Sequence, residues 1–264
     1  MKLHRIKALL IRYLYLNKRS LPRLMDIFYW PVLELLLWGF LSFYLAKLNL
    51  GNVNVVTVLL GAIILWDLLS QSQRAIAVSF LEEVWEKNLL NLFVTPLRVS
   101  EFLVSTILIG IFRVAVVGLV MGSLGLLFYQ FNIVGQFGFY LIIFLLNLLV
   151  FGWSLGLLII GVILRFGTSA QIIAFGFMAL IQPFSAVFYP VSALPESLRY
   201  IAYVLPSTHI FEGMRAVIAN SAFPWPQFGF AILSNAVYLV LTCWFFYRMF
   251  ARVKEKGTIM KLND

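Results

Sequence analysis

The sequence predicts an all-α integral membrane protein with six transmembrane helices, and three observations lead to this prediction. Of its 264 residues, 62% are hydrophobic, well above the roughly 45–50% of soluble domains. The mean hydropathy is +0.96. The apolar residues also form several runs near the length of about 20 residues that a helix needs to cross a bilayer. We therefore treat residues 1–264 as a single transmembrane domain.

The net charge of +9 predicts contact with anionic lipid headgroups rather than with nucleic acid, because the basic residues cluster at the two chain ends beside apolar runs. Cys243 is the single cysteine, so neither an intrachain disulfide nor a cysteine metal site is expected.

Residues 1–23 predict an N-terminal helix that lies in the membrane interface. This stretch holds seven Lys and Arg residues and no acid. A secretory signal peptide is excluded, because Arg12 and Lys18 interrupt the apolar run and no small-residue cleavage site follows. A basic face would contact the headgroups and an apolar face the membrane. The apolar face comprises Leu3, Ile6, Leu10, Tyr13 and Leu14, and the basic face Arg5, Arg12 and Arg19.

The distribution of Lys and Arg gives the orientation of the predicted spans. The spans are residues 27–46, 55–72, 102–129, 137–164, 168–187 and 228–250. Most basic residues fall at the termini, in residues 79–101 and at Arg165, while the opposite side carries only Lys47, Arg199 and Arg215. Since cytoplasmic loops are enriched in Lys and Arg, both termini, including the tail 251–264, are expected in the cytoplasm.

Between spans two and three lies a charged stretch that predicts a short cytoplasmic amphipathic helix within residues 79–98. Proline stops a helix, so Thr95-Pro96 should end it. Such a helix either docks a soluble partner or only connects two spans. Its apolar stripe would comprise Leu81, Val84, Trp85, Leu89 and Leu92, and its charged residues are Glu82, Glu83, Glu86 and Lys87.

Residues 188–227 precede the last span and contain five prolines. In two places a proline followed by Glu and Arg three residues apart predicts a short helix. The pairs are Glu196 with Arg199, and Glu212 with Arg215. Their apolar content favours two re-entrant helices over an ordinary external loop, although both remain open. The residues that define this segment are Tyr189, Pro190, Pro195, Pro206, Glu212 and Arg215.

Glu34, Asp67 and Arg113 fall inside predicted spans at similar depths. An unpaired charge there is costly, so we expect a polar cluster that is either a structural ion pair or part of a transport path. Trp30 and Trp38 lie four residues to either side of Glu34. They would present aromatic surface to a substrate, or serve as packing and an interfacial anchor.

The sequence predicts no catalytic or metal site. It lacks a G-x-x-x-x-G-K-[ST] nucleotide loop and an HExxH pair, and His4 and His209 lie far apart in the chain. An enzyme is therefore not expected, and no metal is expected to bind.

Together, these features resemble the membrane permease of type-2 ATP-binding-cassette (ABC-2) exporters. The resemblance rests on the basic start, Glu82-Glu83 through Thr95-Pro96-Leu97, Phe188-Tyr189-Pro190, Leu194-Pro195, Pro206 and Glu212-Gly213-Met214-Arg215. It implies two permease chains, with the second expected to be identical, and two ABC ATPase subunits that carry ATP and Mg²⁺. It also implies that the helix after span two couples to the ATPase through Glu82, Glu83, Trp85, Glu86 and Lys87.

The function expected from this resemblance is export across the plasma (inner) membrane. The substrate would be amphipathic or hydrophobic, such as a drug, a lipid or a lipid-linked glycan. The alternative is a membrane channel or an assembly scaffold without ATP coupling.

Overall fold

The computed structural model describes residues 1–48, 55–219 and 223–255. Within these ranges the regular structure is helical and no strand is present. A π-helical turn, Met25–Tyr29, joins α2 to α3. The helices are α1 Leu3–Arg19, α2 Leu21–Leu24, α3 Trp30–Lys47, α4 Val55–Trp85, α5 Leu89–Val94, α6 Val99–Tyr129, α7 Ile133–Phe137, α8 Phe139–Phe166, α9 Gln171–Ile181, α10 Glu196–Val204, α11 Pro206–Ile218 and α12 Trp225–Glu255.

Five helical stretches in the described residues are long and apolar enough to cross a membrane, which confirms a multi-pass membrane protein. They are Leu21–Lys47, Val55–Trp85, Val99–Tyr129, Phe139–Phe166 and Trp225–Glu255. The predicted fifth span, 168–187, contains only the 11-residue α9, about 16 Å of helix, whereas the hydrocarbon core is about 30 Å thick. A six-span arrangement is therefore not confirmed.

Three predicted segments fall partly outside the described residues. Most of the loop 47–54, residues 220–222 of the segment before the last span, and residues 256–264 of the predicted tail lie there.

α4 is the central helix of the bundle, and most of its residues are buried. Span two was predicted to end at Ser72, but the helix continues to Trp85. The polar residues around the predicted end are buried, and their side chains donate to backbone carbonyls of neighbouring elements: Gln71 to Asp26, Ser72 to Leu149 and Gln73 to Ala174. Because the donor groups of these side chains bind inside the protein, the polar stretch is accommodated within the helix.

Small residues bring α8 close to α4. A Cβ atom placed on Gly152 would lie 2.8 Å from the Ser72 Cβ, and one placed on Gly156 would lie 2.8 Å from the Ile76 Cβ. Glycines four residues apart allow two helix backbones to approach closely, which is a common packing mode in membranes.

α1 packs lengthwise on α6. The Lys2 backbone amide donates to Glu101, and Arg113 donates to Asn17, so α1 follows α6 over about 18 Å. The buried face of α1 is Ile6, Leu9, Tyr13 and Asn17. The predicted apolar face is therefore corrected: Leu3 and Leu14 are exposed, because the neighbouring helices, rather than a flat membrane surface, select the buried face.

Candidate functional site

The residues predicted to couple to an ATPase lie at the end of α4, which we call the Trp85 end of the bundle, and in the turn that follows. Lys87 has a left-handed backbone with φ of 54°, and this conformation ends the helix before α5 begins at Leu89. The predicted single amphipathic helix is thus wrong. Its first half is the last turn of a spanning helix, and its second half is the six-residue α5.

The apolar stripe of this region was predicted correctly in part. Leu81, Val84 and Leu89 are buried in one hydrophobic cluster with Leu9 and Phe80. Trp85 is instead half exposed. Its ring stacks on Phe175, and its indole nitrogen donates to the Gln171 Oε1 at 2.8 Å. The Trp85 end of α4 is therefore joined to α9.

Glu83 is 1% exposed, so the expectation that these acids form a solvent-facing surface is wrong for it. Arg12 donates to its two carboxylate oxygens at 2.7 and 3.0 Å. The Tyr13 hydroxyl donates at 3.0 Å, and the Asn88 amide at 2.7 Å. A bidentate arginine pair with two further donors satisfies a buried carboxylate.

Glu82 and Glu86 are also held by arginines from the N-terminal region. The Arg23 Nε donates to Glu82 at 2.8 Å, and its Nη2 donates to Glu86 at 2.9 Å. Arg12 lies 3.6 Å from Glu86. The basic face of α1 was predicted to contact headgroups, but Arg12 instead binds protein carboxylates.

α1 also holds the far side of the same turn. Arg5 donates to the Pro96 carbonyl, and it lies 3.5 Å from the Glu101 carboxylate. α1 therefore binds both ends of segment 83–96: Arg12 binds Glu83 before the turn, and Arg5 binds the Pro96 carbonyl after it.

The ion pair with Glu83 affects the titration of two groups outside the spanning helices. Burial alone would lower the pKa of Arg12, but the hydrogen bond and charge of Glu83 outweigh it and raise this pKa. Burial, reinforced by the adjacent Glu83 carboxylate, raises the pKa of Tyr13. The Tyr13 phenol therefore remains a hydrogen-bond donor to Glu83 across the physiological range.

The predicted intramembrane cluster is rearranged. Asp67 pairs with Arg74 at 3.5 Å, and Arg74 also lies 3.7 Å from Asp26. Arg113 donates to the Asn17 Oδ1 at 2.5 Å, and among the described residues it forms no ion pair. The expected Arg113 pair with Glu34 or Asp67 is thus wrong, because Arg74, two residues beyond the predicted end of span two, pairs with Asp67 instead.

Glu34 and Arg113 nevertheless line one cavity of about 430 Å³ near the Trp85 end. It lies between the first helical stretch, α4, α6 and α9. Three arginines and three acids contribute to its wall, together with exposed aromatic residues. The full lining is Pro22, Arg23, Asp26, Trp30, Glu34, Arg74, Val78, Glu82, Trp85, Arg113 and Phe175.

The two tryptophans that flank Glu34 have different environments. Trp30 is 52% exposed and lines the cavity. Trp38 stacks on Phe188 with ring centroids 4.0 Å apart. Trp38 therefore packs against the segment before the last span, whereas Trp30 remains available to a ligand.

The segment after α9 is folded into the opposite, Val55 end of the bundle. Within it, α11 packs against α4: Met214 lies beside Gly61, and Phe211 contacts Trp66. α10 instead exposes apolar residues, with Tyr200 77% exposed.

Side-chain contacts fix the turns between these short helices. Glu212 accepts from the Val191 amide at 2.7 Å and pairs with Arg215 at 3.0 Å, as predicted. Arg199 instead donates to the carbonyls of Leu194 and Ser192. Tyr189 donates to the Pro183 carbonyl. The three prolines occupy helix starts: Pro190 and Pro195 precede short helical turns, and Pro206 is the first residue of α11.

Sequence reasoning missed four residues of this site: Asn17, Arg23, Asp26 and Arg74. One signal was available. The first 23 residues carry only basic charge, and the stretch after span two begins with three acids. Two segments of opposite charge that are separated by one helical hairpin can form ion pairs with each other. This possibility was overlooked when the basic residues were interpreted as contacts to lipid headgroups.

Comparison with known families gives one match. A family model described as ABC-2 type transporter matches residues 6–219. No curated protein matches the chain. The matched range includes most of α1, the Trp85 end and its turn, the cavity, α10 and α11.

Proposed function

Because the chain belongs to the ABC-2 type transporter family, we propose that it is the membrane permease of an ATP-driven exporter. Two permease chains would work with two ABC ATPase subunits, which bind ATP and Mg²⁺. The complex would lie in the plasma (inner) membrane, with both termini in the cytoplasm, and would export an amphipathic or hydrophobic substrate.

The turn after α4, together with α5, is the proposed ATPase-docking surface. Lys87 and Asn91 are exposed there, and Val94 is 79% exposed. Leu89, on the other face of α5, is 1% exposed. A short helix with one anchored face and one exposed face that carries an apolar residue, Val94, fits a site that a partner covers. Among the predicted coupling residues, Trp85, Glu86 and Lys87 would contact the ATPase, whereas Glu82 and Glu83 would transmit the movement.

The observation that supports this role most strongly is the continuity of α4. This helix begins at the Val55 end, contacts α11 through Gly61 and Trp66, and ends at the Trp85 turn. Its 31 residues span about 46 Å. A displacement of the docking surface would therefore move α11 directly, and through Arg12 it would also move α1.

A sixth crossing follows from the same proposal. Residues 171–188 begin beside Trp85, where Gln171 binds its indole, and end at Phe188, stacked on Trp38. Ala174 belongs to the hydrophobic cluster of the Trp85 end, and Val187 to the cluster of the Val55 end. α9 and the turns after it would thus cross most of the membrane, and α10 and α11 would be the two re-entrant helices.

The test is reconstitution of the permease with a candidate ABC ATPase subunit. Val94→Asp should reduce complex formation and ATP hydrolysis stimulated by the permease, since it places a charge in the docking surface. Val134→Asp is the matched control: Val134 is 63% exposed at the opposite end of the bundle, so this variant should assemble normally. If Val94→Asp assembles and transports like the parent chain, the docking surface is misassigned. Conductance without ATP would indicate a channel instead.

A further inference from the structure

The cavity near the Trp85 end contains two oppositely charged side chains that form no salt bridge within the described residues. Arg23 is bound by Glu82 and Glu86, and Arg74 by Asp26 and Asp67. Two charged lining residues remain, Arg113 and Glu34.

Arg113 is 4% exposed, and its guanidinium contacts only the neutral side chain of Asn17 in the described chain. Its buried Nε atom has no hydrogen-bond partner there. Glu82 and Asp26 attract this guanidinium through space, but they are bound by Arg23 and Arg74. Burying a guanidinium without a directly paired counter-charge is unfavourable. A planar guanidinium with free N–H groups is also the side chain best suited to bind a phosphate by two parallel hydrogen bonds.

Glu34 on α3 is half-buried, lines the same cavity and, within the described residues, makes no ion pair or hydrogen bond. Trp30 lies one helical turn before it, so the two side chains share a face of the same helix. A carboxylate beside an exposed indole ring provides both a counter-charge and a cation–π surface for an ammonium group.

The lining as a whole has equal numbers of arginines and carboxylates, which favours a ligand that carries both charges over a simple anion. Trp30, Trp85 and Phe175 each line the cavity and are about half exposed. Exposed aromatic rings near the ends of spanning helices are typical of the membrane interface. The volume of about 430 Å³ lies within the range of roughly 300–1,000 Å³ that is typical of ligand sites.

From these observations we propose that the cavity binds the zwitterionic headgroup of a phospholipid, with the phosphate at Arg113 and the ammonium between Glu34 and Trp30. The acyl chains would leave the cavity past Trp30 and Phe175 into the bilayer. This inference goes beyond the proposed function, because a lipid would bind here whether or not an ATPase drives transport.

The experiment uses the full chain, purified in detergent, stripped of lipid and titrated under native mass spectrometry. Phosphatidylethanolamine and phosphatidylglycerol with the same acyl chains are compared. Because the ethanolamine lipid engages both charges, it should bind at least about tenfold more tightly. Soluble glycerophosphoethanolamine and inorganic phosphate show whether the headgroup alone, or phosphate alone, is sufficient for binding.

Variants separate the two halves of the site. Arg113→Leu should weaken binding of both lipids by about tenfold or more, while Arg113→Lys should restore part of it and guards against a folding defect. Glu34→Gln should weaken only the ethanolamine lipid, thereby removing the preference. Arg165→Leu removes an exposed arginine outside the cavity and should change neither affinity.

Three outcomes would overturn the proposal. Equal affinity for the two lipids would exclude recognition of the ammonium. Unchanged binding in both Arg113 variants would exclude this cavity as the site. Tighter binding of inorganic phosphate than of the lipid would assign the cavity to a soluble anion. None of these outcomes bears on ATPase docking, so this inference and the proposed function fail separately.

Discussion

Neutralising Glu83 tests the connection between α1 and the Trp85 end. Glu83→Gln keeps the side-chain size but removes the charge, and its amide places two donors where Arg12, Tyr13 and Asn88 already donate. The parent carboxylate accepts four hydrogen bonds. Bonds to a charged group contribute about 1.5–3 kcal/mol each and are not additive.

The expected loss of stability is smaller than the sum of the four separate hydrogen-bond contributions. The Arg12 side chain is 31% exposed, so water replaces part of the lost interaction when the carboxylate is removed. We expect the free energy of unfolding to fall by about 2–4 kcal/mol. Glu86→Gln is the matched control, because Glu86 also binds arginines but its side chain is 42% exposed. This control should change stability by less than about 1 kcal/mol.

The assay is denaturant unfolding of the purified chain in mixed micelles, carried out for each variant and for Glu83→Gln combined with Arg12→Met. If the two residues stabilise one contact, the double variant should lose less than the sum of the single losses. Equal, small losses at Glu83 and Glu86 would refute the structural role of the buried acid. Additive losses at Glu83 and Arg12 would refute their coupling.

Two further predictions concern packing and topology. Gly156→Leu should destabilise the bundle by several kcal/mol, since its side chain would meet Ile76 on α4; a normal melting temperature in detergent would contradict the close α4–α8 contact. In a Cys243→Ser background, a cysteine at Gln130 should react with an impermeant thiol reagent outside intact cells, and one at Asn91 should not. Both positions are exposed, but Gln130 follows the end of α6 and Asn91 follows the end of α4, which lie at opposite ends of the bundle. External labelling at Asn91 would refute the proposed orientation.

The fold class could be predicted from the sequence because it depends on local properties. Long apolar runs and helix-breaking prolines are read directly along the chain, and they predicted α6, α8 and α12 closely. The end of span two was predicted at residue 72, whereas α4 continues to Trp85. The polar side chains from Gln71 to Gln73 bind backbone carbonyls of α8, α9 and the π-helical turn, which are distant in the chain.

For the candidate site, too, contacts within one helix were easier to predict than contacts between distant parts of the chain. The acids after span two were recognised as important, and Glu212 with Arg215 was predicted from a spacing of three residues on one helix. The partners of Glu83 were missed because Arg12 lies 71 residues away. Glu34 and Asp67 were grouped with Arg113 on depth alone, whereas Asp67 pairs with Arg74, seven residues further along the same helix.

By itself, the sequence determined that this chain lies in a membrane and that its family is the ABC-2 transporters. It also placed the acids Glu82, Glu83 and Glu86 after the second span, on the side of the bundle that is rich in Lys and Arg. These properties depend on composition and on spacing within single helices. The tertiary structure alone decided that α1 clamps the turn, that Glu83 is buried, and that Arg113 and Glu34 face one cavity unpaired. Those outcomes depend on the rotation of each helix about its axis, which is set by packing against neighbours such as Gly152 and Gly156.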